Sequence, residues 1–326
     1  MSEADLTPVT IVTGFLGSGK TTLLNHVLGT AHGQRIAVIE NEFGEVGIDA
    51  KILLAEHDER IVEMNNGCIC CSIRGDLVDV LNRLHRRRLS GEISFDRVMI
   101  ETTGVADPGP IAQTFCIDPT LGARYLLDAV ITLVDAKYVE DQLERFPQSA
   151  AQIGFADCIL LSKLDLIERT ALDVLQARIG AMNSRAPIRA ISFGAVPLDD
   201  ILDLRAFSLG TPLRLEGRYR MAARAPDRDR VRSFVFRSHR AFDFPKLDAF
   251  LSRAVAEHGG NLLRCKGILA VDGCDSEVVF QGVRDFMSGD FGRPWRADAD
   301  RQSVLVFIGC DLPEAWFQEE LDACLV

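Results

Sequence analysis

Residues 14–22 read GFLGSGKTT and follow directly on the apolar run VTIVT at 9–13. Few folds accommodate this. The glycine-rich turn must stand at the end of a strand buried in a sheet, with a helix departing from it. Gly14, Gly17 and Gly19 let the backbone curl around an anion, and a helix starting at Lys20 offers free N–H groups and the positive end of its dipole. In such a loop Lys20 brings a point charge to the β- and γ-phosphates of a nucleotide, and the Thr21 hydroxyl reaches Mg²⁺. Ser18 and Thr22 complete the cradle.

The same strand and helix alternation continues. Apolar runs at 36–40 (IAVIE), 97–101 (RVMIE), 128–134 (DAVITLV), 157–161 (DCILL) and 187–192 (PIRAIS) are separated by helical patterns, one carrying Leu77, Val80, Leu81 and Leu84. Uninterrupted apolar runs mark strands covered on both faces, so the expected fold is α/β. A doubly wound, mostly parallel sheet of the P-loop NTPase kind follows. Residues 210–230, rich in Arg, Gly and Pro and without a sustained period, read as a linker. Beyond it, VRSFVFR (231–237), a helical PKLDAFLSRAVAEHG, KGILAVDG, EVVFQGV, SVLVFIG and a last helix predict a smaller C-terminal α+β domain with an antiparallel sheet. The expected division is 1–209, 210–230 and 231–326. A chain of 326 residues exceeds the ~250 to 300 at which single cores stop growing.

Two further motifs define the ligand. RVMIE ends in Glu101 and Gly104 follows. In phosphate-loop nucleotidases an acid so placed holds Mg²⁺, and the glycine N–H reads the γ-phosphate. Asp135, ending the next strand, ranks second for the acidic role. SKLD at 162–165 is a variant of the NKxD guanine box. Asp165 accepts from guanine N1–H and the exocyclic amine, a donor pair adenine lacks, while the Lys163 stem covers the ring. Ser162 stands where Asn is usual, and the shorter side chain is expected to lose the tie between this loop and the phosphate loop. SFG (192–194) is positioned for a last base-contacting loop. A phosphate-loop kinase or ATPase is the rival reading, and Asp165 argues for GTP.

Of nine cysteines, three crowd into NNGCICCSI as Cys68, Cys70 and Cys71. A bridge between neighbours would be strained, and soft thiolates favour Zn²⁺ or Cu⁺. Three sulfurs leave one tetrahedral position, for which ENEFGEVGID supplies Glu40, Glu42 and Glu45. Cys116, Cys158, Cys265, Cys274, Cys310 and Cys324 read as core filler. A formal charge of -11 disfavours nucleic acid or anionic lipid as partner. With no apolar run near the ~18 to 20 residues of a membrane span and no basic-then-apolar leader, a cytoplasmic location is expected. The basic run HRRRLS (85–90) reads as a solvated helix end.

In this order GFLGSGKTT, ENEFGEVGID, NNGCICC, ETTGVADPGP and SKLD, with a small C-terminal domain behind them, resemble the CobW family of GTPases, metallochaperone relatives of the urease and hydrogenase maturation GTPases. Within it the resemblance is to the YjiA-like branch, the zinc-regulated GTPase metalloprotein activator type. The resemblance implies slow GTP hydrolysis coupled to zinc at Cys68, Cys70 and Cys71, with Glu40 and Glu45 as further ligands. It implies delivery of the metal to a client metalloenzyme, with the C-terminal domain in recognition. A monomer or homodimer is expected, and charge and hydropathy argue for no nucleic acid and no membrane as partner. The cofactors are then GTP, Mg²⁺ and Zn²⁺, and cobalt or nickel are variations on the cargo. A zinc sensor or store that transfers nothing is the other rival. Ser162 and the lack of a His-rich stretch depart from the family pattern. No glutamine stands out for positioning the attacking water, and Arg74 is a candidate arginine finger.

Overall fold

The computed structural model describes residues 6–30, 33–40, 51–55, 73–207, 212–213, 231–296 and 301–326. They fall into two compact units, Met1–Ala177 with Ala186–Ser208, and Arg178–Arg185 with Leu209–Val326.

The first unit runs β1 (Thr7–Gly14), α1 (Lys20–Gly29), β2 (Ile36–Glu40), β3 (Lys51–Ala55), α2 (Ile73–Leu89), β4 (Arg97–Glu101), α3 (Gly109–Ile117), α4 (Pro119–Gly122), β5 (Tyr125–Asp135), α5 (Val139–Arg145), α6 (Pro147–Phe155), β6 (Cys158–Ser162), α7 (Arg169–Met182) and β7 (Ile188–Ala190). The tail of α7 groups with the second unit. The strand order is β3-β2-β4-β1-β5-β6-β7. Every pairing is parallel except that of β2 with β3. Central β1 is buried along nearly its whole length, as its unbroken apolar run requires. Leu23, Leu24 and Val27 of α1 pack with Val12, Val38, Ile131 and Leu133, and the α2 stripe Leu77, Val80, Leu81 and Leu84 is buried as its spacing predicts. Strands β2 and β4 match the expected runs residue for residue. Edge strand β3 (KILLA) was not anticipated: five residues behind a Gly- and Glu-rich stretch carry too little period to separate strand from loop.

The starts of the strands, far from the glycine loop, are closed by ions. Asp128 is the extra residue of a β-bulge, since Val9 pairs Leu127 and Thr10 pairs Ala129, and a bulge re-aims its side chain. Both Arg97 and Asp128 are 1% exposed, with Nη1 3.2 Å from Oδ2. Arg97 also donates to Gln34 (3.0 Å) and Asp203 (2.5 Å). Asp128 in turn accepts the backbone N–H groups of Asp203 and Arg205 at 2.9 and 2.6 Å. The segment leaving the sheet is thereby sewn to its base. The basic end of α2 is a solvated helix end as expected, with Arg86 and Arg88 exposed, and it also makes local contacts. Arg87 pairs with Glu92, while Arg88 donates to the Thr7 hydroxyl at 2.6 Å and lies 5.1 Å over the Phe95 ring.

The second unit contains β8 (Pro212–Leu213), β9 (Val231–Ser238), α8 (Phe244–His258), β10 (Leu262–Leu269), β11 (Ser276–Val283), β12 (Phe286–Pro294), β13 (Ser303–Cys310) and α9 (Glu314–Ala323). Its six-stranded antiparallel sheet has the order β8-β12-β11-β10-β13-β9. Leu247, Phe250 and Leu251 of α8 and Phe317 and Leu321 of α9 form one core with Phe234, Phe236, Phe280, Leu305 and Phe307. Strand β12 (FMSGDFGRP) escaped sequence reading because two glycines and a proline depress its strand propensity. Pairing with β11 through a two-residue turn overrides that. Among the described residues, no helix is long and apolar enough to cross a membrane.

Truncating a buried ion pair on one side leaves the other charge uncompensated, so Arg97→Met should destabilise the chain by about 3 to 5 kcal/mol. Urea unfolding followed by fluorescence measures this. Cys158 and Cys265 are buried, and burial raises the Cys158 thiol to about 11 and Cys265 further upward. Neither should react with a chromogenic disulfide in the native chain at mildly alkaline pH, and both should react in denaturant.

Candidate nucleotide and metal site

Backbone geometry shapes the phosphate loop. Gly14, Gly17 and Gly19 hold φ of 141°, 75° and 104°, values that side-chain-bearing residues rarely adopt. At Gly14 space forbids one as well, since a Cβ would lie 2.3 Å from the Leu133 carbonyl oxygen of β5. Helix α1 starts behind Gly19 with no side-chain cap and no acidic residue in its first turn, leaving its N–H groups for an anion. Lys20 is 8% exposed and its Nζ donates to the carbonyls of Gly14 (2.9 Å) and Phe15 (3.3 Å). Burial lowers its pKa, while Glu101 opposes the shift. This cation rests on exchangeable carbonyl partners beside the loop that would receive phosphate.

Neighbouring β4 ends in Glu101, whose Oε1 accepts the Thr21 hydroxyl at 3.2 Å. A hydroxyl and a carboxylate so placed form the hard-oxygen pair Mg²⁺ prefers, so both residues fit the metal assigned to them. Thr102 donates to the Thr13 hydroxyl at 2.8 Å, and the chain then passes flush against the phosphate loop. A Cβ on Gly104 would stand 2.5 Å from the Leu16 nitrogen. Here glycine is required by space.

Asp135 does not compete for the metal. It is 2% exposed and its Oδ2 pairs with Lys163 Nζ at 2.6 Å, while Oδ1 accepts the Lys137 N–H at 3.0 Å. Lys163 holds a left-handed φ of 58°, and Asp165 is exposed on the 3₁₀ turn that follows. The expectation that Ser162 breaks the tie to the phosphate loop is corrected. Its Oγ donates to the Ser18 carbonyl at 2.8 Å, because the two loops stand close enough for a one-carbon side chain to span them. The SFG loop leans on the start of α1, where a Cβ on Gly194 would stand 2.7 Å from the Thr22 carbonyl oxygen. Phe193 projects from it 89% exposed at φ 47°.

Glu40, ending β2, is the register partner of Glu101. Cys68, Cys70, Cys71, Glu42, Glu45 and the side chain of Arg74 lie outside the described residues, as does most of 210–230. Sequence reasoning missed the contacts of Asp135 and of Gln152, whose buried side-chain amide donates to the carbonyls of Gly104 and Ala106 at 3.2 and 2.9 Å. Neither belongs to a motif, and only the fold brings them to the loops they hold.

With three loops gathered at one edge of a parallel sheet and the acid beside the lysine, the first unit is a phosphate-loop GTPase. Residues 8–190 match the family described as CobW/HypB/UreG, nucleotide-binding domain, and residues 231–325 match the cobalamin synthesis protein cobW C-terminal domain. The chain belongs to the CobW/HypB/UreG family. It is 41% identical to the zinc chaperone YjiA of Escherichia coli (strain K12) over 306 residues, 94% of this chain and 95% of that one. It is 38% identical over 222 residues to the zinc-regulated GTPase metalloprotein activator 1 of Schizosaccharomyces pombe, covering 66% of this chain and 53% of the relative. The crystal structure of Zn(II)-bound YjiA GTPase from E. coli superposes with a TM-score of 0.77 at 37% identity, over 98% of this chain and 99% of that one.

Removing the Ser162 hydroxyl should cost roughly one net hydrogen bond of about 0.5 to 1.5 kcal/mol. Ser162→Ala is thus expected to weaken GTP and GDP alike by about two- to tenfold, read by calorimetric titration.

Proposed function

We propose that this chain is a GTP-hydrolysing zinc metallochaperone. Zinc binds at Cys68, Cys70 and Cys71 with Glu40 and Glu45 as oxygen ligands, and is passed to a client metalloenzyme under control of the nucleotide state. The observation that carries the reading is the register of β2 on β4, which sets Glu40 directly opposite Glu101, the acid that accepts the Thr21 hydroxyl. The stretch that carries Glu42 and Glu45 leaves the sheet after Glu40, beside the magnesium acid, whereas the stretch bearing the thiols follows β3, whose last residue pairs with the first of β2. A change at the γ-phosphate therefore reaches Glu40 and the carboxylate-bearing stretch behind it through one strand pairing, the arrangement by which nucleotide-ordered loops act as two-state devices.

In this reading Lys20 and the glycine loop bind the β- and γ-phosphates, Thr21 and Glu101 hold Mg²⁺, and Gly104 reads the γ-phosphate. Ser162, Lys163 and Asp165 form the guanine box. Bound Mg²⁺ would neutralise charge on the phosphates. The zinc is cargo, and a three-sulfur site finished by carboxylate suits a metal that must leave again. Residues 1–209 are proposed as the GTPase domain and 231–326 as the domain that recognises the client, in a cytoplasmic monomer or homodimer. Relatives named zinc chaperones support zinc over cobalt or nickel.

A zinc titration against a chromophoric chelator with GTP, with GDP and with neither tests the coupling. Coupling of about 1 to 3 kcal/mol should separate the affinities by about 5- to 150-fold, and equal affinities in all three would refute nucleotide control. Cys70→Ser should abolish tight binding. Lys20→Ala should abolish phosphate release from GTP while leaving nucleotide-free zinc affinity unchanged.

A further inference from the structure

Helix α6 touches both loops that handle the nucleotide's phosphates. At its start the Phe146 ring lies 4.7 Å from that of Phe15 in the phosphate loop. Further along, Gln152 is 1% exposed. Its backbone carbonyl accepts the Thr132 hydroxyl of β5 at 2.8 Å, and its side-chain Nε2 donates to the carbonyls of Ala106 at 2.9 Å and Gly104 at 3.2 Å. A buried amide with both donors on the backbone of one loop is an expensive group to place without a purpose.

The turn it grips includes Gly104. The Ala106 N–H donates to the Thr103 carbonyl at 3.0 Å, so the peptide joining Thr103 to Gly104 has its oxygen turned into the turn. In a trans peptide the N–H lies on the opposite edge, so this bond sets the direction of the Gly104 N–H. Gly104 itself lies against the Leu16 nitrogen with no room for a Cβ. Leu16 therefore backs the turn on the phosphate side, and Gln152 holds its carbonyls on the other.

We propose that Gln152 is a positioning residue for GTP hydrolysis: by holding the carbonyls of Gly104 and Ala106 it fixes the Gly104 N–H where the γ-phosphate is read. It touches no nucleotide and acts only through that peptide. GDP lacks the group concerned, so GDP affinity is insensitive to Gln152 while turnover of GTP depends on it. A misplacement near 1 Å at a reacting group costs about 100-fold in rate.

The test compares Gln152→Met, which keeps the length and removes the donors, with Gln152→Glu, which keeps the shape and sets oxygen against two carbonyls. Ile153→Val on the same helix serves as a stability control. Steady-state phosphate release and GDP calorimetry are measured on the full chain with Mg²⁺. The proposal expects kcat to fall about 10- to 100-fold in both Gln152 variants, with KM for GTP and GDP affinity within about twofold of wild type. It is overturned if kcat falls no further than in Ile153→Val, or if GDP affinity falls by the same factor as kcat. Failure of both Gln152 variants to fold beside a stable Ile153→Val would also overturn it, making Gln152 a folding residue. The inference rests on the GTPase reading, and wild-type turnover in the same assay distinguishes failure of that reading from failure of this one.

Discussion

The approach of Gly14 to β5, where a Cβ would stand 2.3 Å from the Leu133 carbonyl oxygen, fixes the height of the phosphate loop over the sheet. Four other contacts take their reference from that loop. Lys20 lies on the Gly14 carbonyl, Ser162 donates to the Ser18 carbonyl, Thr21 reaches Glu101, and Gly104 passes against the Leu16 nitrogen. A side chain at position 14 would force loop and strand apart and disturb all four together. Backbone approach is an economical way to assemble a site, since it spends little side-chain entropy and leaves peptide N–H groups pointing outward for an anion.

The two ends of the same sheet are built on opposite physical terms. At the nucleotide end Lys20 rests on carbonyls it can exchange for phosphate, and the first turn of α1 carries no side-chain cap. At the other end Arg97, Asp128, Gln34 and the backbone of 203–205 satisfy one another in a nearly dry network. A buried pair of that kind adds little net stability over an apolar replacement, since desolvation consumes most of the attraction. What it does supply is uniqueness of path, because only one course of the segment after Ile201 places two amides on Asp128. The exit of the GTPase unit is thus fixed by the geometry of charges, whereas at the ligand edge the pair of Asp135 with Lys163 ties the SKLD loop to the end of β5.

Local signals in the sequence located what depends on local chemistry. The glycine loop, Glu101 and the SKLD box were legible because each requires particular residue types at fixed spacing, and β2 and β4 were legible because burial on both faces leaves an unbroken apolar run. What depends on distance between loops was not. Ser162 seemed too short for the Asn it replaces, yet the gap to Ser18 is 2.8 Å, a quantity no motif encodes. Asp135 looked like a metal ligand because it ends a strand, whereas its partner Lys163 comes from a box 28 residues further on. Gln152 carries no signal at all, since one glutamine in a helix gains meaning only from the carbonyls that face it. Strand β12 was hidden by glycines and a proline that its neighbour's ladder overrides.

Charge counting gives the proposed coupling a sign before any loop moves. Magnesium with GTP brings a net charge near -2 to the edge where β4 ends, and magnesium with GDP brings about -1, so loss of phosphate removes roughly one negative charge beside Glu101. Glu40 is the register partner of Glu101, so a zinc ion held in part by Glu40 feels that loss as weakened attraction. One elementary charge acting on a doubly charged ion at about 10 Å, with an effective dielectric of about 20 to 40, is worth about 2 to 3 kcal/mol. That falls within the range of ordinary allosteric coupling and has the direction needed for release after hydrolysis. Linkage makes the effect mutual, so zinc-loaded chain would hold GTP more tightly relative to GDP than empty chain does. Salt screens such a term over roughly 8 to 10 Å, whereas coupling carried by ordering of the thiolate stretch would be far less sensitive to salt. The ionic-strength dependence of the coupling therefore separates the part due to the charge on the nucleotide from the part due to the chain.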